Sequence, residues 1–245
     1  MVHLPWLEAD DPFPPPGQAL TEPAGLLAAG ADLSPARLVS AYRQGIFPWY
    51  NEGEPVLWWS PDPRGVIFPE QFDASRSLRQ QRRRSGWMLA VDRDFDAVLA
   101  GCAGPRAGAG GTWISPDMQA AYRQLHDLGL AHCIAVYRHG TLVGGLYGVN
   151  CGGLFCGESM FSHASDASKL AFWALMRLAV RWQWPVLDCQ LPNPHLLSLG
   201  ATTIPRTRYL SFVTRLVEQP APQWNHAEAL LREEGFPVMS QGTGS

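Results

Sequence analysis

Residues 132–161, HCIAVYRHGTLVGGLYGVNCGGLFCGESMF, decide the fold. Their β-branched and aromatic runs read as three successive strands at about 132–138, 141–149 and 153–161, the first two joined as a hairpin at Arg138-His139-Gly140. Glu158 interrupts the third, which is otherwise apolar and glycine-rich. A buried carboxylate without a partner is costly, so Glu158 calls for a cation: Lys169 or an arginine of the chain, or a ligand. Gly152, Gly153 and Gly157 omit side chains where another backbone or a ligand can come close.

C-terminal to this stretch, SDASKLAFWALMRLAVRW predicts a long helix over about 166–183, and Pro185–Cys189 a buried strand. A short helix follows from Pro194, capped by Asn193 and stopped by Gly200, and then a helix through Tyr209, Phe212, Val213 and Leu216. After QPAPQ, Asn225 and Glu228 have the spacing of a capping box for a last helix, and SQGTGS reads as a frayed end. On the N-terminal side, Ser115-Pro116 opens a helix whose Met118, Ala121, Tyr122, Leu125 and Leu128 share one face, ending at Gly129. Trp87–Val91 reads as a strand, and Asp92 as the cap of a short helix through Leu99. Ser34-Pro35 begins a helix closed by Gly45, while GIFPWYNEG and WWSPDPRG read as irregular loops. Residues 1–25 are too proline-rich for a long helix, but Leu4, Trp6, Leu7, Phe13 and Leu20 point to a segment laid on a surface. Strands of a mixed sheet interleaved with helices give an α+β class. The expected division is a small N-terminal domain at 1–64, a larger domain at 65–218 and an extension at 219–245.

With 245 residues, 46% hydrophobic and 17% charged, the composition is that of a soluble globular protein. A formal charge of -3 argues against bulk nucleic-acid affinity, yet Arg76, Arg79, Arg82, Arg83 and Arg84 crowd one short stretch. Such a run is a solvated helix face or a grip on a phosphate backbone. Lys169, the sole lysine, lies in the first turn of a helix, where the macrodipole disfavours a cation; it should pair with a carboxylate or a ligand. Cys102, Cys133, Cys151, Cys156 and Cys189 are odd in number and form no CxxC pair, which fits reduced thiols in the cytosol. The N-terminus has no basic n-region and no apolar h-region, and Arg177 interrupts the longest apolar helix, so neither a secretion signal nor a membrane segment is expected. His126, His132 and His195 have no Ser or Cys partner at a recognisable spacing and read as structural.

Several motifs stand in one order: EPAGLLAAGADLSPARLVSAYRQGIFPWY, WWSPDPRG, TWIS, AYRQLHDLGLAH, LVGGLYGV, GLFCGESMF, ASK, DCQ, SLGA and IPR. Over about residues 10–216 the chain thereby resembles the leucyl/phenylalanyl-tRNA protein transferase family. The resemblance implies a larger domain with the acetyltransferase fold called GNAT, a mixed sheet flanked by helices, beside a small N-terminal domain. It also implies a cytoplasmic enzyme that moves Leu or Phe, less readily Met, from Leu-tRNA or Phe-tRNA to the N-terminal Arg or Lys of a protein, marking it for degradation. The chain departs from the family's usual pattern at Ala31, where Gly is usual, at Ala135, where Glu is usual, and at Tyr137, where Trp is common. Ala135 bears on acceptor preference.

Joining an α-amine to an activated ester needs no ATP, metal or covalent enzyme intermediate, so no cofactor is expected and positioning supplies much of the rate. The amine must be neutral to attack, and a carboxylate-backed group can accept its proton. Residues two apart on a strand share a face, which puts Asp188 beside Gln190 and turns Cys189 away. The resemblance implies that Asp188 orients Gln190, whose carbonyl oxygen accepts from the attacking amine, and that Glu158 and Asp188 bind the acceptor. It assigns Leu146, Phe155, Met160, Leu175 and Leu187 to an apolar slot for the donor side chain, whose selection rests on apolar burial. Trp49 and Trp113 occupy the family's positions for stacking on the last base of the tRNA, and the Arg76–Arg84 cluster would grip its acceptor stem. Two rivals are a CoA-dependent acetyltransferase and a tRNA- or degron-binding module without catalysis. The first lacks its pyrophosphate loop, since RAGAGG at 106–111 has the wrong spacing; retention of both Asp188 and Gln190 speaks against the second.

Overall fold

The proline-rich N-terminus and the two stretches read as loops are joined in a small sheet. Its strands are β1 (Trp6–Leu7), β2 (Leu26–Gly30), β3 (Phe47–Pro48) and β4 (Leu57–Trp59), in the order β1-β2-β4-β3. GIFPWYNEG and WWSPDPRG are thus partly strand, too short to show a period in sequence. The computed structural model describes residues 4–84, 86–104 and 114–239, and only the backbone of Gln81 and Arg84. Helix α1 (Pro35–Tyr42) links β2 to β3, and the Ser34 hydroxyl caps it by accepting from the Arg37 N–H at 3.4 Å.

The larger sheet begins at β5 (Arg64–Ile67), so the sheets change between Trp59 and Arg64. Its other strands are β6 (Trp87–Val91), β7 (Ala131–Arg138), β8 (Thr141–Cys151), β9 (Leu154–Ser162), β10 (Leu187–Gln190) and β11 (Thr202–Ile204). They lie in the order β11-β5-β10-β9-β8-β7-β6. Strands β6 to β9 form an antiparallel meander. At the β7–β8 joint, His139 and Gly140 both have positive φ, 52° and 80°, as a two-residue hairpin requires. Helices α2 (Arg76–Arg84), α3 (Phe95–Ala103), α4 (Pro116–Asp127), α5 (Ala167–Arg181), α6 (Pro194–Ser198), α7 (Arg206–Leu216) and α8 (Ala227–Glu233) complete the chain. No helix among the described residues is long and apolar enough to cross a membrane.

Alternation along β7 assigns the two faces of the sheet. Ile134 and Val136 meet Leu170, Leu175 and Leu178 of α5. Cys133, Ala135 and Tyr137 point the other way, into a core that holds Val98 of α3, Met118 and Leu125 of α4, and also Leu38, Tyr42 and Trp58 of the N-terminal module. The small sheet and the large one therefore share a core.

Two expected caps are replaced. Asp92 does not start α3: its carboxylate accepts from the Cys133 N–H at 2.9 Å and meets His132 Nδ1 at 2.7 Å, leaving Asp94 before the first helical residue. Asn225 and Glu228 form no capping box, because residues 224–226 make a 3₁₀ turn and Glu228 Oε1 accepts instead from the Val91 N–H at 3.2 Å.

Strand β10 lies parallel to β9, a connection that needs a crossover, here α5. Their register holds a single pair, Asp188 with Cys156. Beyond it β9 continues to Ser162 against β8, while β10 stops at Gln190, whose φ of 58° turns the chain aside. The strands part there, and residues of both line a cavity.

Candidate active site

That cavity, about 880 Å³, is lined by Leu146, Phe155, Met160, Leu175 and Leu187, the residues assigned to the slot, and by Ile67 and Phe172, which sequence did not single out. They come from β5, β8, β9, β10 and α5, and the wall they make is apolar. Trp49, 40% exposed and edge-on to Trp59 at 5.5 Å between ring centroids, also lines it. Trp113 lies outside the described residues.

Asp188 and Arg64 are each 1% exposed and pair in bidentate fashion: Arg64 Nε donates to Oδ1 at 2.8 Å and a terminal nitrogen to Oδ2 at 2.6 Å. The Tyr209 hydroxyl donates to Oδ2 at 2.9 Å and the Gln190 backbone N–H to Oδ1 at 2.9 Å. A carboxylate has about four lone-pair positions, and these contacts use them all. The Asp188 side chain therefore has no position left for an acceptor, which corrects the acceptor-binding role expected of it. Burial opposes the Arg64 charge, but Asp188 outweighs it and holds the guanidinium firmly protonated.

The positive φ of Gln190 also breaks the alternation that was to set it beside Asp188 as a strand neighbour. Asp188 instead grips the Gln190 backbone, and the side chain is held elsewhere: its Nε2 donates to Glu158 Oε1 at 2.8 Å. With its NH₂ turned to a carboxylate, the amide presents its carbonyl oxygen away from Glu158.

Among the described residues Glu158 meets no cation. Tyr42 donates to Oε1 at 2.8 Å and Tyr122 to Oε2 at 2.7 Å, so neither Lys169 nor a described arginine side chain is its partner. Burial pushes its carboxyl up to about 7, against the hydrogen bonds from Tyr122 and Tyr42 that pull it down; Asp188 pushes it further up and Gln190 down. Among the described residues three donors are in place, which leaves one acceptor position on Oε2. Lys169 pairs with Asp166 at 2.7 Å on the same cavity wall as His195, whose imidazole is held below its ordinary value by burial and by Lys169. His195 is thus part of the cavity, unlike His126 and His132, which stack on Phe95 and Trp224.

Gly157 lines the cavity, but Gly152 and Gly153 are approached by the chain itself: a Cβ at Gly152 would lie 2.7 Å from the Leu216 and Gln219 carbonyls. Ala135 is fully buried on β7 against Gly145 and does not line the cavity. The arginines of α2 divide. Arg76, Arg79 and Arg83 are exposed at helical spacing, although Arg79 also pairs with Asp73, while Arg82 turns inward between Trp173 and Phe236. The side chain of Arg84 is outside the described set.

Sequence reading missed Arg64, Tyr42, Tyr122 and Tyr209. The tyrosines sat on helix faces that looked merely apolar, and nothing local marked Arg64, 124 residues from its partner.

The family model described as leucyl/phenylalanyl-tRNA protein transferase matches residues 66–214, and that of its N-terminal domain matches residues 31–62. The chain belongs to this family. A leucyl/phenylalanyl-tRNA–protein transferase of Azotobacter vinelandii is 53% identical over 209 residues, covering 85% of this chain and 92% of that one. Another, from Stutzerimonas stutzeri, is 52% identical over 223 residues, covering 90% and 99%. Among solved structures, a ribosomal-protein-alanine N-acetyltransferase of Brucella melitensis is 22% identical, with a TM-score of 0.34 over 44% of this chain and 81% of that one. Membership of the transferase family does not rest on that weak likeness.

Proposed function

We propose that this protein is a cytoplasmic aminoacyltransferase that takes Leu or Phe, less readily Met, from aminoacyl-tRNA and joins it to the N-terminal Arg or Lys of a protein, marking that protein for degradation. The observation that carries the reading is the linked series Arg64–Asp188–Gln190–Glu158 at the mouth of an apolar cavity. The donor side chain enters the slot of Leu146, Phe155, Met160, Leu175 and Leu187, and the terminal adenine stacks on Trp49, a contact worth about 1–3 kcal/mol. The exposed arginines of α2 meet phosphates, a sequence-independent contact suited to more than one tRNA.

The acceptor's α-amine approaches between the Gln190 carbonyl and the last free position on Glu158. Its lone pair attacks the ester carbonyl, the C–N bond forms and the ester C–O bond breaks. The proton lost by nitrogen passes to Glu158, and the ribose 3′-oxygen leaves with a proton. A carboxyl near 7 can accept and return that proton at working pH. Asp188, saturated by Arg64 and Tyr209, acts by fixing the Gln190 backbone.

Incubation with radiolabelled Leu-tRNA and peptides beginning with Arg, Lys, Asp, Glu or Ala tests this. Label is expected on the Arg and Lys peptides alone. Transfer to Asp or Glu peptides would overturn the acceptor assignment while leaving the donor intact.

A further inference from the structure

We infer that the segment 219–239, which lies beyond the residues matched by the family models, is part of the tRNA-binding apparatus: it clamps the arginine helix α2 through Arg82, a positioning residue rather than a phosphate ligand. The inference rests on the proposed role of α2 in gripping tRNA.

The guanidinium of Arg82 lies 4.6 Å from the Trp173 ring centroid and 4.8 Å from that of Phe236, and these rings meet edge to face at 5.1 Å. Gly235, with φ of 75°, ends α8 and turns the chain so that the Phe236 N–H reaches the Leu231 carbonyl at 2.9 Å. Beyond it, residues 237–239 run along edge strand β6. The Leu89 N–H donates to Pro237 O at 2.7 Å and the Met239 N–H to Leu89 O at 2.8 Å, a parallel bridge that pairs an otherwise open edge. Helix α8 is fixed to α5 by Arg177 on Glu234 at 2.8 Å and Arg181 on Glu233 at 2.7 Å. The same short segment thus holds both α2 and the strand that α2 leads into. With Arg82 and the buried Leu78 turned inward, Arg76, Arg79 and Arg83 form the outward row. A row of phosphates reads that orientation, because salt-linked binding counts how many cations lie within reach at once.

The test is steady-state transfer by the full chain, with KM for Leu-tRNA measured across a salt series beside KM for an Arg peptide. Phe236→Ala changes no charge. It is expected to raise the KM for Leu-tRNA about fivefold and flatten its salt dependence, with kcat and the peptide KM unchanged. Phe236→Tyr should restore both. Arg82→Gln, which gives up the Trp173 contact as well, should lose at least as much as Phe236→Ala, and the double variant should be no worse than Arg82→Gln alone, since the Phe236 contact is already gone in it. A parental Leu-tRNA KM and salt slope for Phe236→Ala, or additive effects of the two changes, would overturn the clamp. So would an equal loss in both KM values and kcat, which marks general loosening; if Phe236→Ala does not fold, Arg82→Gln decides by the same readouts. Should joint reversal of Arg76, Arg79 and Arg83 to Glu leave tRNA binding unchanged, the grip itself fails, separately from the clamp.

Discussion

Glu158 and Asp188 are joined through one glutamine, yet their surroundings are opposite. Asp188 faces a guanidinium in bidentate contact and has every lone pair engaged. Among the described residues Glu158 is met by two phenols and an amide, all neutral, and its carboxyl is pushed up to about 7. A buried acid with a fixed counter-ion is a strut; a buried acid with only neutral donors can change its proton. The proposed reaction uses both, because a base that titrates is useful only if the glutamine beside it does not move.

The sharpest way to break this contrast is to remove the strut. Asp188→Ala leaves Arg64 charged, buried and unpaired, and should destabilise the fold by about 3–5 kcal/mol as well as abolish transfer. Replacing both partners, Arg64→Met with Asp188→Leu, should recover most of the stability in urea titrations and none of the activity. Recovered activity would show that Gln190 is placed by something else.

Removing the titrating acid should cost less stability and nearly as much rate. Glu158→Gln keeps the shape and is expected to lower kcat roughly 10²–10⁴-fold, the usual range for a lost acid–base group. Its stability should also respond to pH with a definite sign. The Glu158 carboxyl titrates at about 7 in the fold, above its ordinary 4.5, so the folded chain binds more protons between those values. The parent's stability from this group is complete below 4.5 and is lost as pH rises through 7, by at most about 3 kcal/mol. The Gln variant lacks that loss, so its melting temperature relative to the parent should climb from pH 5 to pH 9. A flat difference would mean that Glu158 is not held near neutrality.

The contrast also explains what could be read in the chain before its structure. The meander at 131–162 was legible because its strands are adjacent and joined by short turns, and Ser34, Ser115 and Asn193 were legible as caps because each acts within three residues. Glu158 stood out for the same local reason, a charge in an apolar strand. Arg64 did not, since β5 earns its place only by pairing with β10 and β11, far along the sequence. Nor could Tyr42 and Tyr122 be told from core residues: their rings are core, and only their hydroxyls belong to the site. Alternation placed Asp188 and Gln190 correctly near each other but gave the wrong link, because it assumes a regular strand and Gln190 has φ of 58°.

Tyr42 and Tyr122 supply the smallest and most specific test of the contrast. Each hydroxyl donates to Glu158 and so favours its ionised form, opposing burial. Tyr122→Phe removes a donor with almost no change of volume, and the carboxyl should then rise further above 7. Transfer that requires ionised Glu158 must shift accordingly: the acidic limb of kcat against pH should move up by about half a unit to one unit, a loss of roughly three- to tenfold in rate at pH 6 and little at pH 9. Tyr42→Phe should do the same to a smaller extent, because Gln190 still donates to the same oxygen. The acceptor amine titrates alike in all three enzymes, so the ratio of variant to parent isolates the carboxyl. A uniform loss at every pH would assign the phenols to packing, and a limb moved downward would mean that Glu158 works in its protonated form.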